Sequence, residues 1–328
     1  MAIDNPRILV IGAGVNGSIG AVGLHDAGFD VTVLARGQRY ADLQADGIII
    51  EDQLRHTRSV TRLPLIDHLD PADCYDYVLV VVRKSQVSAL LPVLAQNVSP
   101  NIVFMVNNLS GPVEYMQALG KERVMLGFVF GGGRREDKVI RAIIAKGRWL
   151  RFLATPFGEI DGTISPRLTR LVAIFNRAGL HAEPSRQIID WQATHAVGIP
   201  CLARPLMKYN LDTAALAKSK TDVGLMVDGL RESLDVLQTV GYHIVPRNQA
   251  IIRFIPRFLL VAGLRMMLPT RFIEMGGVWH VSQAPDEMDE LAAELAVLVE
   301  KSGLPVPALR KLLAMNSPAA PHPVESGA

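Results

Sequence analysis

A glycine-rich turn directly after a short apolar run is the feature that most constrains how this chain can fold. Residues 8–11 lead straight into Gly12-Ala13-Gly14-Val15-Asn16-Gly17, and a helical pattern follows over about 17–28. With this spacing, the first glycine permits a tight turn, the second lets the backbone approach a pyrophosphate, and the third lets helix and strand pack closely. The start of the helix also offers unpaired N–H groups to phosphates. The motif therefore predicts dinucleotide binding, against the alternative of an ordinary structural turn.

The residues at the end of the second predicted strand indicate which nucleotide is bound. A fold that binds NAD usually places Asp or Glu there, to accept hydrogen bonds from the ribose hydroxyls. Residues 31–39 contain no acid and two cations, Arg36 and Arg39. An arginine such as Arg36 can pair with a 2′-phosphate through charge-assisted, bidentate bonds, so the sequence favours NADPH over NADH or FAD. The alternative is that Arg36 only caps a strand at the surface.

The first half of the chain alternates strand patterns with helical patterns. Runs rich in Val, Ile and Leu predict buried strands at 7–11, 30–34, 77–82, 102–106 and 124–130, with helices at about 17–28 and 85–96. Such alternation is typical of a parallel sheet covered by helices on both faces, the α/β class. Two further runs, 138–145 and 148–154, predict a hairpin that turns at Lys146-Gly147 and extends this sheet at one edge.

The pattern becomes purely helical from about residue 186. Predicted helices span 190–208, 214–240, 248–267 and 285–301, with almost no strand signal between them. We therefore expect a Rossmann-type domain over 1–185 and an all-helical domain over 186–316. The segment 317–328 is rich in proline and small residues, and it is predicted to be a disordered tail.

Composition excludes several classes of protein. The 34 basic and 32 acidic residues give a net charge of +2, without the clustered basic excess of a nucleic-acid-binding protein. Two cysteines, Cys74 and Cys201, form neither a disulfide framework nor a zinc cluster, so we expect no bound metal and a reducing, cytoplasmic location. The most apolar stretch, 254–268, contains two arginines and falls short of the roughly 20 residues that an integral membrane helix needs.

A succession of segments across nearly the whole chain carries a family resemblance. They are residues 12–17, Arg36, residues 77–88, Asn107, residues 131–135, Trp191 with Arg204-Pro205-Leu206, Glu232 before Gly241, and Glu287 ahead of Val306-Pro307. In this order they resemble ketopantoate reductase (2-dehydropantoate 2-reductase). The resemblance implies a Rossmann domain followed by a helical domain like the C-terminal one of 6-phosphogluconate dehydrogenase. It also implies NADPH-dependent reduction of a 2-oxo acid to a 2-hydroxy acid.

The resemblance carries site residues onto this chain one by one. Gly12, Ala13, Gly14, Val15, Asn16 and Gly17 match the phosphate-binding turn, Arg36 follows the second strand, Arg83 falls where the family has a cofactor-contacting lysine, Asn107 matches the asparagine that touches nicotinamide and substrate, Gly133 lies where a backbone N–H contacts the cofactor, and Glu287 matches a carboxylate near the nicotinamide ribose and the active site. These residues form the expected NADP(H) site.

The helical domain departs from the family pattern. There the family has a tryptophan, a catalytic lysine two residues on, and asparagines at helical spacing. Counting from Trp191, this chain has Ala193 in the lysine position and Val197 and Cys201 in the asparagine positions. No register supplies a lysine, so we expect a divergent member for which ketopantoate itself is an open question.

His195 is the candidate for the missing proton donor. Hydride transfer to a carbonyl needs a proton donor and a group that stabilises the growing negative charge. The ordinary pKa of histidine, about 6.5, suits proton transfer near neutrality, and Glu287 is a candidate partner. The alternative is an inert His195 on the other face of its helix. For Arg204 two interpretations stay open: it grips a substrate carboxylate, or it is a structural cation at the surface.

The apolar, arginine-containing segment 251–267 admits three interpretations. It lines a wider pocket for a bulkier small-molecule substrate, it forms a homodimer or interdomain packing surface, or it contacts a membrane peripherally; we favour the packing surface. For the whole chain, the leading hypothesis is an NADPH-dependent oxidoreductase. The alternative is a catalytically silent NADPH-binding sensor or partner-binding protein that lost the lysine.

Overall fold

The structure is a computed structural model that describes residues 5–128, 131–144 and 154–315. It divides into two compact units, Met1–Gln192 and Ala193–Ala328. The first unit is built on β-sheets, whereas the described part of the second is helical. An N-terminal α/β domain followed by an all-helical domain is therefore the architecture of the chain, as the sequence predicts.

Among the described residues of the first unit, twelve strands and five α-helices precede the helix at its border. The strands are β1 Arg7–Ile11, β2 Asp30–Leu34, β3 Ile48–Asp52, β4 Thr57–Thr61, β5 Leu65–Ile66, β6 Tyr77–Val80, β7 Ile102–Phe104, β8 Val124–Gly127, β9 Gly131–Glu136, β10 Val139–Ile144, β11 Thr155–Glu159 and β12 Ala182–Pro184. The helices are α1 Val15–Asp26, α2 Gly37–Asp46, α3 Val87–Gln96, α4 Val113–Leu119 and α5 Pro166–Arg177.

The main sheet has eight strands in the order β12-β11-β8-β7-β6-β1-β2-β5. From β8 to β5 every pair is parallel, and β11 runs antiparallel to β8. Ile8 of β1 lies opposite Val31 of β2 and Tyr77 of β6. Because the chain winds outward from β1 in both directions, the strand order reverses between β1 and β6. This is the doubly wound arrangement, with its ligand crevice outside the carboxyl ends of the strands at that point.

The core lies on both faces of the main sheet. In β1, Ile8 and Val10 belong to one buried cluster, and Leu9 and Ile11 belong to the other. The period of two in a strand sends alternate side chains to opposite faces. Both sets are apolar because helices cover both faces, which explains why the strands read as continuous hydrophobic runs.

A second sheet has four strands in the order β4-β3-β10-β9. Here the structure corrects the prediction that the run 138–145 extends the main sheet. That run forms β10, which pairs antiparallel with β9 and parallel with β3. The partner strand contains three consecutive glycines, so it lacks the hydrophobic pattern by which a strand is recognised. The predicted turn at residues 146–147 and most of the predicted strand 148–154 lie outside the described residues.

Helices account for the described part of the second unit, beginning with one that crosses its border. They are α6 Ile188–Lys208, α7 Thr213–Lys218, α8 Lys220–Thr239, α9 Arg257–Met267, α10 Arg271–Ile273, α11 Trp279–Gln283, α12 Pro285–Ser302 and α13 Pro307–Leu313. The predicted helix 214–240 is split because Ser219 caps α8, accepting from the Asp222 N–H. The predicted helix 248–267 is a 3-10 turn, Arg247–Arg253, followed by α9. Pro256 separates the two, since a proline interrupts the helical hydrogen bonds.

No helix in the described ranges is long and apolar enough to span a lipid bilayer.

Candidate functional site

The turn between β1 and α1 requires glycine at two of its three glycine positions. Gly12 has φ +107°, and a Cβ there would lie 2.2 Å from the carbonyl oxygen of Val81. A Cβ on Gly17 would lie 1.8 Å from the carbonyl oxygen of Gly12. Around Gly14, by contrast, no heavy atom lies within 4 Å of a Cβ position. Packing thus demands the outer glycines, whereas the middle one leaves open space beside the backbone.

Several predicted cofactor residues lie at one edge of the main sheet. Gly12 follows β1, Arg36 follows β2, Arg83 follows β6 and Asn107 follows β7. Because these strands are parallel, their carboxyl ends meet at the same edge. The side chains of Arg36 and Arg83 are exposed there, and that of Asn107 is partly buried. The topology therefore places these residues around the reversal in strand order, where open α/β sheets bind ligands.

Gly133 reaches the same turn from the second sheet. A Cβ on Gly133 would lie 2.4 Å from the carbonyl oxygen of Arg141 and 3.0 Å from Cγ1 of Val15. A Cβ on Gly131 would lie 3.8 Å from Oδ1 of Asn16. Strand β9 therefore lies against the first turn of α1, and glycine at position 133 avoids a close contact with Val15. Within the described residues, Oδ1 of Asn16 is buried without a hydrogen-bond partner.

Arg39 is a residue of this edge that the predicted site did not include. Its Nε donates to the carbonyl oxygen of Ala13 at 3.0 Å, so the side chain lies on the glycine-rich turn. Burial and the neighbouring Arg135 lower the pKa of Arg39, and Asp42 acts in the opposite direction. Only its position in the first turn of α2, three residues after Arg36, was visible in the sequence.

His195 lies on α6 in the second unit, where its side chain is partly buried. Burial, followed by the neighbouring His280, lowers the pKa of His195 to about 4. The ring is therefore neutral at neutral pH, which corrects the assumption of an ordinary histidine pKa. As a neutral imidazole it can donate one N–H and accept with its other nitrogen.

His280 is a neighbour of His195 that the family pattern did not single out. It lies on α11, which directly follows a π-helical turn, Glu274–Val278. Such turns are rare in proteins, and those that occur often lie at functional sites. The turn contains Gly276 and Gly277, and a doublet of glycines in a helical segment is the signal by which it could have been noticed.

The positions that correspond to the family's lysine and asparagines are packed in the interior. Ala193, Val197 and Cys201 are all buried. Burial raises the pKa of the Cys201 thiol to about 12, so it stays protonated and unreactive. Counted from Trp191, this face of α6 therefore offers no group for proton transfer.

Arg204 and Glu287 are both buried in the second unit. Arg204 has 7% of its surface exposed, and its Nη1 lies 2.6 Å from Oδ1 of Asp289 on α12. The surface-cation interpretation of Arg204 is therefore wrong, although the residue is a structural partner of a carboxylate. Glu287 lies in the first turn of α12, where the helix dipole favours an acid.

The part of the chain that the structure describes holds no cluster of three or more His, Cys, Asp or Glu side chains suited to a metal ion.

Comparison with known proteins agrees with the fold described above. Residues 8–148 match the family model described as ketopantoate reductase PanE/ApbA. No curated protein sequence matches the chain. Among solved structures, a D-mandelate dehydrogenase in a ternary structure with NADH and anilino(oxo)acetate has a TM-score of 0.76 at 13% identity, covering 94% of this chain and 96% of that one.

Two further solved structures carry ketopantoate reductase names. A putative ketopantoate reductase from Ralstonia solanacearum MolK2 has a TM-score of 0.72 at 22% identity, with coverage of 94% and 95%. A 2-dehydropantoate 2-reductase from Geobacter metallireducens GS-15 has a TM-score of 0.75 at 16% identity, with coverage of 94% and 98%. At these identities the likeness is one of fold.

Proposed function

We propose, from the membership of this chain in the ketopantoate reductase family through residues 8–148, that it is an NADPH-dependent oxidoreductase. It would reduce a 2-oxo acid or a related carbonyl to the hydroxy compound. The observation that carries the proposal is the turn at residues 12–17, where two glycines are required by packing and Gly14 leaves the backbone open. That is the arrangement a pyrophosphate needs.

The residues present fit a nicotinamide dinucleotide. The turn at 12–17 would hold the pyrophosphate on the N-terminus of α1, and Gly133 of β9 lies against that turn. Arg36 and Arg83 would contribute positive charge at the same edge. The exposed Arg36 and Arg83 and the lack of an acid in residues 31–39 support NADP(H), although the D-mandelate dehydrogenase of similar fold is described with NADH.

The bound nicotinamide would supply a hydride to the carbonyl carbon of the substrate. Asn107 would orient the carbonyl with its side-chain amide. His195, a neutral imidazole at neutral pH, would donate an N–H hydrogen bond to the carbonyl oxygen and stabilise the charge that develops there, and the resulting alkoxide would take its proton from water. Glu287 would support the site, and Arg204, which also pairs with Asp289, would bind a substrate carboxylate.

A panel of 2-oxo acids tests the proposal. Purified protein would be mixed with NADPH or NADH and with ketopantoate, small aliphatic 2-oxo acids or bulkier aryl 2-oxo acids, and loss of the reduced nicotinamide absorbance followed. We expect faster oxidation of NADPH than of NADH on at least one acid. Binding of NADPH without oxidation on any acid would contradict the enzyme and favour the silent NADPH-binding protein.

His195→Gln tests the role of the His195 N–H in the same assay. We expect a fall in kcat of about 100-fold or more, the usual loss when a hydrogen-bond donor to a developing oxyanion is removed, with NADPH affinity retained. The matched control is His68→Gln, since the His68 ring is exposed and paired with Asp67 at 2.7 Å in the first unit. Unchanged turnover by His195→Gln would remove His195 from the mechanism.

We further propose that the protein works in the cytoplasm as a homodimer. Large apolar side chains are exposed along one stretch of the second unit, including Phe254, Phe258 and Met266. Large exposed apolar side chains grouped in one segment favour an interface. Two free cysteines support a reducing compartment.

A further inference from the structure

Arg39 is attached to the glycine-rich turn by one of its N–H groups. It lies in the first turn of α2, and Nε donates to the carbonyl oxygen of Ala13 at 3.0 Å. This bond ties α2 to the turn between β1 and α1. The guanidinium plane is consequently held beside the backbone that would carry a dinucleotide.

The remaining donors of Arg39 lack acceptors. Both terminal nitrogens are buried, and neither has a hydrogen-bond partner in the described part of the chain. Asp42, the acid whose charge acts on Arg39, accepts from Gln38 at 2.9 Å and lies 3.7 Å from Nζ of Lys138. A buried guanidinium without an acceptor is costly, and unsatisfied groups of this kind are rare outside functional sites.

A second cation acts on the same group. Arg135, on β9 of the second sheet, repels the positive charge of Arg39. Two like charges beside an open backbone turn create a positive potential that no neighbouring carboxylate balances through a salt bridge among the described residues. A dianion would relieve both the repulsion and the missing hydrogen bonds.

We propose that Arg39 binds the adenosine 2′-phosphate of NADPH and that it, more than Arg36, determines the choice between NADPH and NADH. The inference rests on the proposed function, because it needs a dinucleotide at the glycine-rich turn. Arg39 follows β2, the strand after which the adenosine ribose is recognised in this fold class. A guanidinium presents parallel N–H donors that match a phosphate.

The difference between the two arginines is one of preorganisation. Arg36 is exposed, so its side chain must be ordered and desolvated on binding. Arg39 is already held by Ala13. Because the two terminal nitrogens are buried, the atoms that cover them must move for a phosphate to reach them, while the Nε–H bond to Ala13 keeps the guanidinium plane in place.

Calorimetric titration with adenosine 2′,5′-bisphosphate and with 5′-AMP tests the assignment. These probes differ by the 2′-phosphate and need no catalysis. We expect Arg39→Met to weaken binding of the bisphosphate by about tenfold or more, because a charge-assisted bidentate contact is lost. Its affinity for 5′-AMP should be nearly unchanged. Arg36→Met should have the smaller effect, and Arg39→Lys should recover part of the loss.

The matched control is Arg58→Met, an arginine on β4 whose side chain is 60% exposed. It should bind both probes as the wild-type protein does. If Arg39 merely supports the turn, Arg39→Met will weaken binding of both probes equally and will lower the melting temperature. That result would show the proposal to be wrong. A larger effect of Arg36→Met, or no bisphosphate binding by the wild type, overturns it as well.

The same samples separate this inference from the proposed function. Tight bisphosphate binding that depends on Arg39, with no oxidation of NADPH on any carbonyl, would overturn the oxidoreductase and leave the role of Arg39 intact. Carbonyl reduction in which Arg39→Met leaves the ratio of kcat/KM for NADPH and NADH unchanged would overturn the role of Arg39 alone.

Discussion

The three glycines of the turn have different surroundings. Gly12 and Gly17 are surrounded by backbone, with carbonyl oxygens 2.2 Å and 1.8 Å from where a Cβ would be. Gly14 faces open space and has a φ of −73° that any residue can adopt. The motif therefore combines two structural requirements with one that only a ligand would impose.

Gly17→Ala and Gly14→Ala separate these requirements. We expect Gly17→Ala to lower the free energy of unfolding by about 2 kcal/mol or more, because the backbone must move to admit the methyl group. Gly14→Ala should cost less than about 1 kcal/mol and should instead weaken NADPH binding. Chemical denaturation and NADPH titration of both variants measure this. Equal destabilisation by both substitutions would contradict it.

His195 predicts how stability depends on pH. Its pKa is about 4 in the folded protein and about 6.5 when unfolded. As the pH falls through 6.5, the unfolded chain binds the proton first. Stability is therefore fully present above about pH 6.5 and is lost as the pH falls towards 4.

The His195→Gln variant isolates that contribution. Between pH 7 and pH 4.5 the wild type should lose about 2 kcal/mol more than the variant. Urea unfolding at both pH values measures the difference. The control is His68→Gln, because hydrogen bonding to Asp67 raises the pKa of the exposed His68, so any effect has the opposite sign. A pH dependence unchanged by His195→Gln would show that the ring titrates normally.

At the scale of elements, α6 and α12 are joined by an ion pair between Arg204 and Asp289. The arginine is buried, whereas the Asp289 side chain is 51% exposed. The sequence does not predict this pair, since Arg204 lies between apolar residues and Asp289 lies in an acidic helix. The pair is formed only because the two helices pack together.

Asp289→Asn should destabilise the second unit. It removes the acceptor charge from a buried guanidinium, which we expect to cost about 1–2 kcal/mol once the exposure of Asp289 is allowed for. Thermal unfolding measures it, and Glu290→Gln on the same helix is the control. If Asp289→Asn instead leaves the melting temperature unchanged, the pair with Arg204 does not support the fold.

At the scale of the whole molecule, the second unit carries large apolar side chains that are exposed and not packed in its interior. Helix α9 has no buried residue. The exposed fractions are 82% for Phe254, 70% for Phe258 and 77% for Met266. Monomeric proteins rarely expose so many large apolar side chains together.

Phe258→Asp tests whether this surface joins two copies. We expect the wild type to have twice the chain mass in light scattering after size exclusion, and the variant to have the mass of one chain. The melting temperature at low protein concentration should be unchanged, since the side chain is exposed. Ile164, 37% exposed in the first unit, supplies the control Ile164→Asp. A monomeric wild type across concentrations would exclude the homodimer.

Local sequence patterns were sufficient to predict much of the first unit. The predicted bounds of β1 and β2 agree with the structure, and the glycine spacing predicts the turn. The structure leaves the proposed roles of Asn107 and Glu287 as predictions. The reason for the agreement is that strand burial, turn geometry and helix start all depend on residues within a few positions of one another.

The second sheet and the charge states of the site depend on residues far apart in the chain. The second sheet joins strands almost a hundred residues apart, and one of them, β9, starts with three glycines that show no strand pattern. The low pKa of His195 depends on its burial and on His280. The two unpaired nitrogens of Arg39 depend on what packs around α2. Sequence determined the architecture and the glycine-rich turn, whereas tertiary structure decided charge and pairing, because burial and electrostatics are properties of neighbours in space.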